Sequence, residues 1–147
     1  MRNMVFTTFG RFTVVAHTKK PPSEEEWHDY IMTHKAYFER GMSMRFVIFT
    51  EGGAPTATQR QKMTDIVAEW ARSNPDCIRS AIVTRSSLVR GVVTAISWFL
   101  PIARAFSPEN VEQAFAYLEI PPEIIPEIQR VIPLLKAQLT PENPPAR

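Results

Sequence analysis

The chain has 147 residues, 44% of them hydrophobic and 22% charged, with a formal net charge of +2. That size and balance predict one soluble globular domain with a real core, and exclude a disordered or fibrous chain. The mild basic excess comes with no lysine- or arginine-rich run and no basic-aromatic interleaving, so nothing points to nucleic acid as a partner.

Met4 to Thr8 and Arg11 to His17 are rich in valine, phenylalanine and threonine and meet at Gly10-Arg11, which predicts a hairpin. The N-terminus lacks the apolar run and cleavage site of a signal peptide, and the single Cys77 fits a reducing compartment; together they predict a cytoplasmic protein. Pro21-Pro22 ends the second strand, and Ser23 with Glu26 forms a capping box for a helix. Trp27, Tyr30, Ile31, His34 and Phe38 recur along it at helical spacing, and Gly41 is placed to end it.

The run Met44 to Thr50, MRFVIFT, reads as a buried strand. The loop EGGAPTAT then leads to a second helix capped at Thr56 or Thr58, with Met63, Ile66, Val67, Trp70 and Ala71 as its apolar stripe. Ser80 to Thr84 is the next strand. Ser86 or Ser87 caps a third helix, predicted to bury Leu88, Val89, Val92, Val93, Ile96, Phe99 and Leu100. That stretch is thirteen residues, roughly 20 Å as a helix, and too short to span a bilayer.

Pro101 ends the third helix, and Ala103 to Phe106 reads as a short edge strand. Ser107-Pro108-Glu109 starts a fourth helix with Val111, Ala114, Phe115 and Leu118 on its inner face. Residues from Ile124 to Leu139 keep helical periodicity, but Pro133 predicts a broken amphipathic helix. The domain is expected over residues 1–139, with a disordered tail over 140–147.

The order β-β-α-β-α-β-α-β-α with an added C-terminal helix implies an α/β fold. It would have a mixed sheet of about five strands, an antiparallel opening pair and right-handed parallel crossovers. In this respect MRFVIFT with its helix, SAIVTRSSLVRGVVTAISWF and ARAFSPENVEQAFAYL resemble the STAS domain, more closely the SpoIIAA-like group of bacterial proteins. The likeness covers about residues 4 to 120. It implies a regulatory or ligand-binding module rather than an enzyme. It also implies a phosphoacceptor in the loop after the central strand, where Thr56 and Thr58 are the only hydroxyls. The Asp-Ser-(Ser/Thr)-Gly motif of phospho-regulated members is absent there.

The residues themselves name few sites. His28 and His34 lie on different helix faces, and with His17 they make no metal-binding pattern. The glycine pair in the loop Glu51 to Thr58 lacks the lysine of a phosphate-binding loop, leaving a capped turn or a phosphorylated contact loop. Acidic pairs such as Asp29 and Glu39, or Glu123 and Glu127, are ordinary on solvated helices, so no catalytic residue and no cofactor is assigned.

The third helix is the leading candidate. Gly91, Thr94 and Ala95 form a second, small-residue face ending in Trp98, flanked by Arg85 and Arg90. Three coverings are open: the chain's own C-terminal helix, a homodimer or protein partner, or an apolar, lipid-like small molecule. The leading expectation is a non-enzymatic protein-contact module. A carrier or sensor of an amphipathic molecule held between sheet and C-terminal helix comes second, and a phospho-switch at Thr56 or Thr58 third.

Overall fold

The computed structural model describes residues 2–74, 76–97 and 102–141. Five strands form one mixed sheet in the order β1-β2-β3-β4-β5: Met4–Phe9, Phe12–His17, Met44–Thr50, Ile78–Val83 and Ala103–Phe106. The first two pair antiparallel and the other three neighbouring pairs are parallel. Gly10 takes φ 61° in the hairpin turn, a conformation that glycine adopts without a Cβ penalty.

Helices α1 (Glu24–Glu39) and α2 (Ala57–Ser73) each start on a complete capping box, Ser23 with Glu26 and Thr56 with Gln59. Each such cap contributes about 1 kcal/mol. The two starts are tied together: Trp27 donates from Nε1 to the Gln59 carbonyl at 2.8 Å, and Gln59 donates to the Pro22 carbonyl at 2.9 Å. These helices cover one core cluster, with Trp27, Tyr30, Ile31 and Phe38 against Val15, Met44 and Phe46. All five residues whose helical spacing marked them in α1, including His34, are buried.

Strand β2 alternates between the two sides of the sheet. Phe12, Val14 and Ala16 join the second core cluster, built with α4 (Val111–Tyr117) and α5 (Ile125–Lys136). Ala114, Phe115 and Leu118, read as the inner face of α4, are buried there with Ile128 and Leu135. A 3-10 turn over Pro108–Asn110 precedes α4, so the Ser107-Pro108 start opens a tighter turn than expected.

Two expectations about helices are overturned. Pro133 lies inside α5 without interrupting it. Proline cannot return a hydrogen bond to the Gln129 carbonyl, but Ile128 and Leu135 on either side are anchored in the core, and packing outweighs the lost bond. The third helix, α3 (Ser87–Ser97), packs along β5 and buries Val93, yet leaves Leu88 77% and Val92 52% exposed. The edge strand is only four residues long, too narrow a support for a full apolar stripe. Phe99 and Leu100 of that predicted stripe lie outside the described residues.

Among the described residues, the C-terminal helix is not packed as the cover of α3. It packs on β1 and β2, whereas α3 lies along β5 at the other edge of the sheet. Past α5, Leu139 bridges to Arg2 and the Thr140 amide donates to the Arg2 carbonyl at 2.8 Å, so the start of the expected tail runs beside the start of β1. Residues 142–147 are outside the described part.

Candidate functional site

A groove of about 650 Å³ opens where β2, β3 and β4 end, between α4 and α5. Carboxyl ends of parallel strands are where open α/β sheets present ligand sites, because the chain leaves the sheet there in loops. The apolar lining comes from Phe49, Val83, Val111, Phe115, Ile132 and Leu139. His17, Thr50, Thr84, Ser86 and Gln129 add polar groups. Three cations, Lys19, Arg85 and Lys136, stand against one carboxylate, Glu51. The Lys136 ammonium lies 5.2 Å from the centre of the Phe49 ring, a cation-π contact that holds positive charge over the apolar lining.

At one end the groove meets a tightly bonded junction. His17 is 3% exposed and its Nδ1 donates to the Thr18 carbonyl at 2.8 Å. Burial lowers the His17 pKa from its ordinary value; that hydrogen bond and the charge of Glu26 oppose the shift only in part. Glu26 shows the reverse balance. Burial works against its charged form, but amides of Ser23, Met4 and Asn3 donate to it and hold the carboxyl below the ordinary range.

The second buried histidine belongs to the core. His34 donates from Nδ1 to the Tyr30 carbonyl at 2.7 Å, and its Nε2 accepts from Thr13 at 3.1 Å. Rings of Phe6, Tyr30, Tyr37 and Phe46 surround it at centroid distances of 4.3 to 6.2 Å. Burial pushes its pKa down to about 4. Cys77 is buried, and desolvation raises its thiol pKa, which leaves little thiolate to react. Among the described residues, no three histidine, cysteine or acidic side chains are placed to hold a metal ion.

The residues singled out in the sequence do not form one site. Arg85 stands at the groove, while Arg90 turns back to donate to the Thr84 carbonyl at 2.8 Å. Gly91 and Thr94 are exposed on α3 beside Leu88 and Val92, Ala95 lies on the same helix, and Trp98 is outside the described residues. Thr56 accepts the Gln59 amide as the cap of α2, and Thr58 is exposed in the first turn; neither lines the groove. Sequence reasoning missed Phe49, Thr84, Gln129 and Lys136. The available signal was positional: Phe49-Thr50 and Val83-Thr84 end two successive parallel strands.

A solved structure carries the same architecture: an uncharacterized protein of the DUF3478 family, with a SpoIIAA-like fold, from Shewanella loihica PV-4. It superposes with a TM-score of 0.54 at 12% identity, over 80% of this chain and 95% of that one. The chain has a SpoIIAA-like fold. No family model and no curated protein matches it. At that identity the SpoIIAA-like likeness speaks for the scaffold, and the reading of function rests on the groove and on α3. No helix among the described residues is long and apolar enough to cross a membrane.

Proposed function

We propose that this protein is a non-enzymatic sensor module that binds an anionic, amphipathic small molecule in the groove between α4 and α5. The observation that carries the reading is the pairing of an apolar lining with three cations and one carboxylate around it. An apolar body gains about 25 cal/mol for each Å² it buries there, and the basic rim selects the sign of the head group. The groove is open to solvent, which suits a sensor that samples its ligand better than a carrier that encloses it.

Calorimetry with decanesulfonate and decyltrimethylammonium, which share one tail and differ in head charge, tests this directly. The sulfonate should bind, the ammonium should not, and Lys136→Glu should weaken the sulfonate by about tenfold, or 1.4 kcal/mol. Equal binding of both heads, or an unchanged affinity in the variant, would sink the proposal.

A second reading, contact with a protein partner or a second copy of this chain, is favoured by α3. Leu88 and Val92 stand one turn apart and largely exposed, with Gly91 between them. The two readings are compatible: the groove takes the signal and α3 presents the response.

A further inference from the structure

His17 and Thr50 are register partners at the ends of β2 and β3, and both line the groove. A carbonyl only accepts, so the 2.8 Å contact with Thr18 fixes the His17 proton on Nδ1. Nε2 of the neutral ring then carries a lone pair, and it is buried without a hydrogen-bond partner. The Thr18 carbonyl also takes the Gly53 amide at 3.0 Å, and the Glu51 amide donates to the His17 carbonyl at 3.1 Å. Thr50 closes the turn by donating to the Gly53 carbonyl at 2.8 Å and accepting from the Gly52 amide at 3.1 Å. There is no spare room: a Cβ on Gly53 would lie 2.1 Å from the Thr18 oxygen and 2.9 Å from His17 Nδ1.

Taking the groove as the ligand site, we infer that His17 is an acid-sensitive latch on it: the neutral ring holds the Thr50–Gly53 turn in place, and proton uptake releases the turn and the bound ligand. A proton on Nε2 creates a buried cation whose new donor has no acceptor. The charged groups around it are Glu26 from α1, Lys19 beyond β2, Glu51 in the turn, Arg85 after β4 and Lys136 from α5. The Glu26 charge favours the protonated ring, but its oxygens already take the amides of Asn3, Met4 and Ser23. An unpaired buried charge is costly, so the ring stays neutral until acid imposes the proton, and the charged ring is then stabilised by reaching water. As the ring leaves, its bond to Thr18 breaks and the surface packed against Gly53 is lost.

The test compares pH 7.5 with pH 5.0, above the range in which His34 takes up its proton. Amide exchange at Glu51, Gly52 and Gly53 is read by NMR, and decanesulfonate, whose head stays ionised, is titrated by calorimetry. In the native chain, acid should weaken the sulfonate at least about fivefold and lower the protection factors of the three amides, their exchange corrected for the intrinsic rate at each pH, at least about tenfold. His17→Asn keeps a donor near the position of Nδ1 but cannot titrate, so the sulfonate affinity and the protection of the three amides against local opening should differ little between the two pH values. Gly53→Ala should open the turn already at pH 7.5. An imidazolium that stayed in place would attract the sulfonate, so tighter binding in acid overturns the proposal. So does a pH response shared by His17→Asn. Failure of decanesulfonate to bind at pH 7.5 would count against the groove as a site, while the amide comparison would still decide the latch.

Discussion

His34 is the residue whose chemistry reaches furthest into stability. Both ring nitrogens are committed, one donating to Tyr30 and one accepting from Thr13, inside a cage of aromatic rings. Its folded pKa of about 4 lies below the ordinary 6.5, so the unfolded chain binds the proton more readily. The contribution is therefore complete above about pH 6.5 and is lost as pH falls towards 4. Over that window the fold should lose about 3 kcal/mol. Urea unfolding at pH 7.5 and 4.5 measures it, and a flat profile would contradict the account. His17 is shifted in the same direction and adds to the loss with the same sign. Periodicity marked His34 as a core position, but no pattern in the sequence shows that both nitrogens find partners, because Thr13 is 21 positions away.

Glu119 offers a second test at this scale. It follows α4 with φ 56°, a left-handed conformation normally given to glycine at a helix end. Its Arg79 contact is a 3.9 Å ion pair at a well-exposed carboxylate, which holds little energy. Glu119→Gly should raise stability by about 0.5–1 kcal/mol, readable as a higher melting temperature. A lower melting temperature would show that the side chain contributes more than its geometry indicates.

Among the elements, α3 departs most from its sequence. Leu88, Val89, Val92 and Val93 read as one buried stripe, yet the structure buries Val93 and leaves Leu88 and Val92 out. Periodicity reports which side of a helix is apolar, not whether a surface waits to receive it. Among the described residues, the main support of α3 is the short β5, and Leu88 and Val92 remain on the outside. The Leu88→Glu, Val92→Glu double variant should keep its fold, since both side chains are mostly in water. It should abolish any self-association seen by light scattering, or capture of a defined partner once one is known. Loss of folding would instead place these residues in the core. Helix α5 makes the opposite point: Pro133 signalled a break, but long-range packing of Ile128 and Leu135 kept the helix whole.

For the molecule as a whole, the strand and helix order was legible because each element carries its own local signal. The capping boxes at Ser23 and Thr56, the hairpin at Gly10 and the run MRFVIFT all act over a few residues. The groove was not legible in the same way. Phe49, Val83, Phe115 and Ile132 come from four separate elements, and each taken alone is an ordinary apolar position. Only the docking of α4 and α5 over the strand ends turns them into a lining beneath Lys19, Arg85 and Lys136. The measurement that tests this most directly is NMR mapping of decanesulfonate on the labelled protein. Shifts should concentrate at Thr84, Val111, Phe115, Ile132 and Lys136, with Leu88 and Val92 unmoved. Shifts confined to α3, or none at saturating sulfonate, would contradict it.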